Sequence, residues 1–238
     1  MNTNSAYNLK SKDAVKPIYS ITPFTLLDYP DKTACIIWFA GCNMRCVYCY
    51  NPDIVLGKGQ LTFENILSFL KKRKSLLDGV VLSGGECTMH PQIAHITKEI
   101  QHLGMKVKID TNGSKPNVLK KLLDENLINY VALDFKALEQ NYFKITKSSL
   151  FNQFKESLKL LIQSLIPFEV RTTIHSHLIC KEDIQKMLNF LESQNYSGKY
   201  YLQEYVNNAK TIGNIKNSEN KFIQDAIFKS KIEVVVRN

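Results

Sequence analysis

Hydrophobic and polar residues follow two alternating patterns along most of this chain. Short runs rich in β-branched and aromatic residues predict strands over residues 33–39, 79–83, 106–110, 130–134, 168–173 and 200–202. Between these runs apolar residues recur every three or four positions, which predicts amphipathic helices. One such set is Phe63, Ile66, Leu67 and Leu70. Pro116 is placed to begin another helix, and a last strand is predicted over residues 232–236.

Strands that alternate with helices predict an α/β fold with a parallel sheet. The six βα units are two fewer than the number in a closed (β/α)8 barrel, so we expect an open, partial (β/α)6 barrel. A doubly wound sheet is the alternative. In both architectures the active site lies at the carboxyl ends of the strands, so functional residues are expected just after the predicted strands.

Length and composition are those of one soluble domain. The chain has 238 residues, of which 44% are apolar and 22% charged. No run approaches the roughly 20 apolar residues that span a bilayer, which argues against a membrane protein. Residues 1–17 are polar and predict a disordered lead-in to a domain over residues 18–238 in a cytoplasmic protein. The stretch 207–221, rich in Asn and Lys, is expected to be a surface connection.

The formal net charge of +9 allows an acidic or nucleic-acid partner. However, only four of the 31 basic residues are arginines, and the lysines are scattered along the chain. Scattered lysines are typical of solvated helix faces rather than of a phosphate-binding track. The net charge alone therefore decides nothing, and the scattered lysines argue against a nucleic-acid partner.

Six cysteines in a chain without a secretion signal indicate metal binding or catalysis rather than disulfides. Cys42, Cys46 and Cys49 have the spacing Cys-x3-Cys-x2-Cys, which can bind three irons of a 4Fe-4S cubane and leave the fourth iron for substrate. The alternative is a zinc site, which needs a fourth ligand. That ligand would be one of three residues outside the motif: Cys35, Cys87 or His90. Cys180 is isolated.

Three further strand ends carry polar or glycine-rich motifs. Gly84, Gly85 and Glu86 follow the second predicted strand, and paired glycines let a backbone approach a ligand without interference from Cβ. Asp110 ends the third strand, and Asp134-Phe135-Lys136 ends the fourth. Singly, each motif is more typical of a turn or a surface charge. Together, they indicate one site at one edge of the sheet.

The segment 41–52, Gly-Cys-Asn-Met-Arg-Cys-Val-Tyr-Cys-Tyr-Asn-Pro, resembles the signature of the radical S-adenosylmethionine (SAM) superfamily. This resemblance implies that the cluster reductively cleaves SAM to a 5′-deoxyadenosyl radical. In the superfamily the aromatic residue before the third cysteine, here Tyr48, lies near the adenine. The motif matched by Gly84, Gly85 and Glu86 binds the SAM amino group. Cys87 stands where proline is usual.

Within the superfamily, the motifs at the third and fourth strands are similar to those of the glycyl-radical-enzyme activases. There the Asp-x-Lys motif, here Asp134 and Lys136, binds SAM, and the residue matching Asp110 contributes to the same pocket, in some members beside a monovalent cation. Residues 21–174 carry this resemblance. It points to the branch that activates anaerobic ribonucleotide reductase, with a reductase or a protein of the flavodoxin or ferredoxin type as electron donor.

Two other functions remain open from the sequence: a radical SAM enzyme that acts on a small molecule or a tRNA base, and a non-catalytic metal-binding module. Arg171, at the end of the fifth predicted strand, fits either a contact to SAM or a partner, or a salt bridge. His175 and His177 lie on one face of an extended segment. We expect these histidines to be structural, because the cluster already has its ligands.

Overall fold

The computed structural model describes residues 15–219, 223 and 226–237. Most of the predicted disordered lead-in, residues 1–14, lies outside this range. At its end, Pro17 is buried and its carbonyl oxygen accepts a hydrogen bond of 2.9 Å from the backbone N–H of Ala40.

Eight strands in the described part of the chain form one sheet whose spatial order is the order of the sequence. The first strand is antiparallel to the second, and every later pair is parallel. The strands are β1 (Ile18–Thr25), β2 (Ala34–Phe39), β3 (Gly79–Gly84), β4 (Lys106–Thr111), β5 (Tyr130–Asp134), β6 (Phe168–Ile174), β7 (Tyr200–Glu204) and β8 (Val234–Arg237).

Seven helices lie between the parallel strands from β2 to β7. They are α1 (Pro52–Leu56), α2 (Phe63–Lys71), α3 (Ile93–His102), α4 (Pro116–Asp124), α5 (Glu139–Thr146), α6 (Phe151–Gln163) and α7 (Lys181–Ser193). A short 3-10 helix, Cys87–Met89, follows β3. The longest of the described helices, α6 and α7, have 13 residues, and none of the helices in residues 15–219, 223 and 226–237 could cross a membrane.

This arrangement confirms the α/β fold and the open barrel. A doubly wound sheet reverses its strand order at a switch point, whereas this order runs from β1 to β8 without reversal, so that alternative is wrong. All six main predicted strands are present. The last strand, β8, begins at Val234 rather than at residue 232. The edge strand β1 was not expected from the sequence.

The helices begin where local chemistry favours a start. The Thr62 hydroxyl accepts from the Asn65 N–H, and the Asn65 side chain accepts from the Thr62 N–H, which forms a capping box at α2. Pro116 opens α4 as predicted, because proline has no N–H to leave unsatisfied at that position.

The two faces of the sheet have different surroundings. Alternate residues such as Ile37, Leu82 and Ile109 join the large apolar core that the helices cover. On the opposite face, a small apolar cluster that includes Ile36 and Val81 gives way to charged residues near the carboxyl ends of the strands. The polar part of this face is the wall of the site described next.

Candidate active site

One cavity of about 370 Å³ lies at the carboxyl ends of the parallel strands. Its volume is within the range of pockets that hold small molecules and cofactors, which is about 300–1,000 Å³. All ten residues that the sequence analysis assigned to the cluster or to SAM line it: Cys42, Cys46, Tyr48, Cys49, Gly84, Gly85, Glu86, Asp110, Asp134 and Lys136. The fold therefore brings together motifs that lie up to 94 positions apart in the sequence, from Cys42 to Lys136.

The cysteine loop, residues 41–50, follows β2 and is held in shape by backbone hydrogen bonds. Its N–H group at Gly41 donates to the Ile54 carbonyl in α1 at 2.9 Å. The N–H groups of Arg45 and Val47 donate to the last carbonyls of α5, which are otherwise unsatisfied at a helix end. These bonds fix the loop without using the thiols.

The three thiols of this loop are free and partly shielded from solvent. Burial raises the pKa of Cys42 to about 12 and that of Cys46 to about 11. Thiolates therefore form here when a metal replaces the protons. The Cys42 sulfur accepts from the Met44 N–H at 3.4 Å and lies 3.8 Å from the Asn112 amide nitrogen.

The candidate fourth ligands of a zinc site lie elsewhere. Cys35 and Cys87 are fully buried in the apolar core. The Cys87 thiol donates to the carbonyls of Leu82 and Asp110. The His90 ring packs against Phe63 with their centroids 5.0 Å apart. None of the three candidates lines the cavity.

The remaining donor set, three thiols at one end of a cavity, fits a cubane cluster with one open iron. In residues 15–219, 223 and 226–237, no three His, Cys, Asp or Glu side chains converge on a single ion.

Gly84 and Gly85 let the ends of β2 and β3 approach each other closely. A Cβ on Gly85 would lie 1.8 Å from the Gly41 carbonyl oxygen, and one on Gly84 would lie 2.3 Å from backbone atoms of Phe39. Gly84 also has a φ of +121°, which other residues rarely adopt. The glycines thus make room for the protein's own cysteine loop, a reason that the sequence did not reveal.

The Glu86 carboxylate is buried and accepts four hydrogen bonds from protein donors. It accepts from the Thr111 hydroxyl at 2.7 Å, from the Asn112 N–H at 2.7 Å, and from the N–H and hydroxyl of Thr88. Burial raises its pKa despite these bonds. In the described contacts, Glu86 therefore joins the end of β3 to the loop after β4.

Five charged side chains form an alternating chain across the ends of β4, β5 and β6. The Lys108 ammonium lies 2.6 Å from Asp110, and Arg171 lies 3.2 Å from the other oxygen of Asp110. The Arg171 Nε also donates to Asp134, which lies 3.0 Å from Lys136. Arg171 therefore makes the salt bridge that was one of its two expected roles, and it also lines the cavity.

These ion pairs control the charge of the site. Burial alone would raise the pKa of Asp134, but Arg171 and Lys136 outweigh it and lower the pKa to about 2. At Asp110 the positive charges of Arg171 and Lys108 likewise outweigh burial and lower the pKa. Both carboxylates are therefore ionised at neutral pH. Within these five side chains the three cations exceed the two carboxylates by one, and Lys136, at the end of the chain that lines the cavity, can pair with an anionic group such as a carboxylate.

Tyr48, in the cysteine loop, and Tyr142, on the neighbouring helix α5, have buried hydroxyl groups without a described hydrogen-bond partner. The Tyr48 ring lies 5.9 Å from the Lys136 nitrogen. Tyr142, on α5, was not singled out from the sequence, where it is only one more apolar position of a helix. A buried hydroxyl without a partner is unfavourable, and Tyr48, unlike Tyr142, lines the cavity, so a ligand there can supply its partner.

The segment that follows β7, residues 205–219, packs against the cysteine loop, and we call it the cover segment. Its N–H groups at Ile212 and Gly213 donate to the carbonyls of Cys49 and Val47 at 3.2 and 2.9 Å. Tyr205 stacks on Tyr50 with their centroids 5.4 Å apart. The predicted surface connection over residues 207–221 is exposed or half-buried at every described position except Thr211, and its backbone also bonds to the loop.

The two histidines of the sixth strand end belong to this packing. His175 Nε2 is 2.8 Å from the carbonyl oxygen of Lys216, and the ring contacts Tyr205 edge-on. Neither His175 nor His177 lines the cavity. These contacts agree with a structural role for His175, and the role of His177, whose N–H donates to His175 Nδ1, stays a prediction.

Comparison with known proteins agrees with the fold and with the motifs. Residues 36–193 match the family model of the radical SAM superfamily. This match covers more than half of the chain, so the protein belongs to that superfamily. Enzymes of this superfamily use a 4Fe-4S cluster together with SAM.

Two relatives have names that state an activity within the superfamily. A Methanocaldococcus jannaschii protein with the provisional name of glycyl-radical enzyme activating enzyme is 33% identical over 178 residues, which cover 71% of this chain and 72% of the relative. The pyruvate formate-lyase-activating enzyme of Clostridium pasteurianum is 30% identical over 184 residues, 74% of this chain and 76% of the relative. These two homologues, at modest identity, thus carry the name of activating enzymes.

Among solved structures, Streptococcus suis SuiB bound to S-adenosylmethionine is similar with a TM-score of 0.62. The sequence identity is 14%, so the likeness concerns the fold alone. The match covers 85% of this chain and 52% of SuiB, and this chain therefore corresponds to about half of that enzyme.

Proposed function

We propose that this protein generates a glycyl radical on a partner enzyme, and that the partner is an anaerobic ribonucleotide reductase. Cys42, Cys46 and Cys49 bind the 4Fe-4S cluster, and SAM occupies the cavity beside it. When both are bound, they supply a 5′-deoxyadenosyl radical formed by one-electron cleavage of SAM. The single observation that carries the proposal is that ten residues from four strand ends line one cavity.

The chain's own residues bind and orient SAM in this proposal. Lys136 holds the SAM carboxylate, and Asp134 and Asp110 hold the ammonium or ribose hydroxyl groups through charge-assisted hydrogen bonds. Tyr48 lies against the adenine. Gly84, Gly85 and Glu86 shape the wall nearest the amino group, with a monovalent cation as a further candidate beside the carboxylates.

The open sheet supports a macromolecular substrate. The described strands end at β1 and β8 without pairing to each other, so the barrel is not closed by backbone hydrogen bonds. A radical must be kept away from water, and a partner protein can supply the missing wall when it docks. The two activating-enzyme relatives favour the same substrate class. An electron donor of the flavodoxin or ferredoxin type, or a reductase, in the cytoplasm would complete the system.

Deuterium transfer tests the proposal. The cluster-loaded protein is incubated without oxygen with SAM, a reductant and an anaerobic ribonucleotide reductase deuterated at glycine Cα. We expect a glycyl radical in the electron paramagnetic resonance (EPR) spectrum and deuterium in 5′-deoxyadenosine. The Cys46→Ala variant, mixed with the same partner, is the control and should yield neither signal.

Other outcomes separate the alternatives. Deuterium transfer from a different glycyl radical enzyme, with none from the reductase, would retain the activase and change its partner. Full-rate turnover with a free nucleoside or a tRNA, and none with any glycyl radical enzyme, would replace the activase with an enzyme of small molecules or tRNA. A loaded protein that does not bind SAM would leave only a metal-binding module.

A further inference from the structure

The loop after β4, residues 111–114, is bonded to the end of β3 and to α6. The Asn112 N–H donates to the Glu86 carboxylate at 2.7 Å, and the Gly113 carbonyl accepts from the Ser157 hydroxyl at 2.7 Å. Asn112 has 4% of its surface exposed, and it lines the cavity. The fold therefore places the Asn112 side chain beside the cysteine loop through bonds that involve no thiol.

Hydrogen bonds fix which end of the Asn112 amide faces the cysteine loop. Its Oδ1 accepts from the Ser114 N–H at 2.9 Å, so the atom on the other side of the amide is the nitrogen. That Nδ2 lies 3.1 Å from the Asn43 Oδ1 and 3.8 Å from the Cys42 sulfur. An amide nitrogen carries two protons, one for each of these acceptors. The distance to sulfur is the longer one because sulfur is the larger atom.

The three sulfur atoms of the cysteine loop differ in the donors around them. The Cys42 sulfur also accepts from the Met44 N–H at 3.4 Å, so two N–H groups converge on it. In the part of the chain that the structure describes, no hydrogen bond reaches the sulfur of Cys46 or Cys49. The protein therefore provides donors to one end of the set of three cysteines and not to the others.

We propose that the Asn112 amide donates an N–H···S hydrogen bond to the Cys42 thiolate when the 4Fe-4S cluster is bound, and that this bond raises the reduction potential of the cluster. The inference rests on the proposed function, because it requires Cys42 to bind iron. A thiolate is a stronger acceptor than a thiol, and a donor to it offsets negative charge on the cluster. The reduced state has one electron more, so it is stabilised more than the oxidised state. Asn112 is thus a tuning residue of the electron-transfer step.

An EPR-monitored redox titration of the cluster-loaded protein tests this role with Asn112→Ser. A serine hydroxyl can still accept from the Ser114 N–H, as Ser and Asn side chains both do in turns, but it has no amide nitrogen to reach Cys42. The midpoint potential should become more negative. At a fixed applied potential, the ratio of reduced to oxidised cluster should fall by about threefold to tenfold, the effect of losing one modest hydrogen bond, or about 30–60 mV for a one-electron couple.

The matched control is Asn129→Ser, beside the opposite end of β4 from the cysteine loop. Asn129 Oδ1 accepts from the Val107 N–H at 2.9 Å, so this variant also changes an asparagine that is bonded to the backbone. Its potential should equal that of the wild-type protein. Equal potentials in the wild-type protein, Asn112→Ser and Asn129→Ser would overturn the inference.

A second measurement on the wild-type protein keeps the test decisive if Asn112→Ser takes up no cluster. The protein is made with asparagine that carries nitrogen-15 at Nδ2, and pulsed EPR of the reduced cluster is recorded. We expect a hyperfine coupling from this nitrogen, since a hydrogen bond to sulfur transmits spin density. Absence of the coupling would overturn the inference, even beside a shifted potential, which would then come from a moved loop. A wild-type protein that takes up no cluster would instead overturn the proposed function, and this inference with it.

Discussion

The backbone N–H of Gly213 donates a hydrogen bond of 2.9 Å to the carbonyl oxygen of Val47, between the second and third cysteines of the loop. The two residues are 166 positions apart, from 47 to 213. A Cβ on Gly213 would lie 2.7 Å from both the Cβ and the carbonyl oxygen of Val47. Only glycine therefore lets the cover segment lie this close to the cysteine loop.

The first prediction concerns this contact. Gly213→Ala should push the cover segment off the loop, because the new Cβ meets backbone that cannot move cheaply. In hydrogen-exchange mass spectrometry, peptides from residues 205–219 should exchange about tenfold faster, which corresponds to ~1.4 kcal/mol of opening free energy.

The control for that prediction is Gly104→Ala. A Cβ there meets no atom within 4 Å, but the φ of +85° strains an alanine. This variant should lower the melting temperature and leave exchange in the cover segment unchanged. Equal exchange in the wild-type protein, Gly213→Ala and Gly104→Ala would show that the contact between Gly213 and Val47 does not hold the cover segment on the cysteine loop.

The second prediction concerns the number of clusters. The protein reconstituted without oxygen should contain about four irons per chain, because the cysteines outside the loop form no further ligand set. Alanine at Cys42, Cys46 or Cys49 should abolish SAM cleavage. The control is Cys180→Ala, which removes an exposed thiol and should retain both iron and activity. About eight irons per chain would contradict a single cluster.

The third prediction assigns Lys136 to SAM rather than to the cluster. Lys136→Ala should keep the visible absorbance of the cluster and weaken SAM binding by roughly 1.5–3 kcal/mol, the range for a hydrogen bond to a charged group. Calorimetric titration of the loaded protein measures this affinity. Lys120→Ala, which removes an exposed ammonium paired with Asp124, should bind SAM normally. Unchanged affinity of Lys136→Ala would remove Lys136 from the SAM site.

The fourth prediction concerns acid stability. The pKa of Asp134 is lowered to about 2 in the folded protein, below its ordinary value near 4. Its pairing thus contributes stability that is fully present above pH ~4 and is lost as the pH falls toward 2, with a magnitude on the order of 2 kcal/mol. Asp134→Asn should be less stable at neutral pH, because Arg171 and Lys136 lose a partner.

Denaturant unfolding between pH 5 and 2.5 measures that contribution. The stability of Asp134→Asn should depend less on pH than that of the wild-type protein. Asp124→Asn, at an exposed carboxylate, should follow the wild-type curve apart from a small offset. Parallel curves for Asp134→Asn and the wild-type protein would contradict the ion-pair argument.

Much of the fold could be predicted from the sequence because local patterns of apolar and polar residues indicate most of its strands and helices. The parallel strands are buried on at least one face and read as short apolar runs, as in 79–83. Strand β1 could not be predicted in this way. It is an edge strand that contains Pro23, and Ile18 alone among its residues is buried, so no alternation of buried and exposed positions marks it.

The site could be predicted as a set of residues but not as a structure. Motifs with fixed spacing, such as that of the three cysteines, are visible in a sequence. Contacts between distant segments are not. Neither the bond from Gly213 to Val47 nor the fit of Gly85 against Gly41 leaves a local pattern. Tyr142 likewise has the sequence signature of an ordinary core residue.

The cysteine loop is bonded to α1, α5 and the cover segment through backbone groups and through the Tyr50 hydroxyl, which accepts from the Val206 N–H, and none of these bonds uses a cysteine thiol. Damage to a cluster by oxygen would therefore remove iron and sulfide from a binding site whose backbone keeps its conformation. Such a protein could be repaired by delivery of a new cluster rather than by degradation and resynthesis. A cell that meets oxygen intermittently would then recover this enzyme as fast as it can supply clusters.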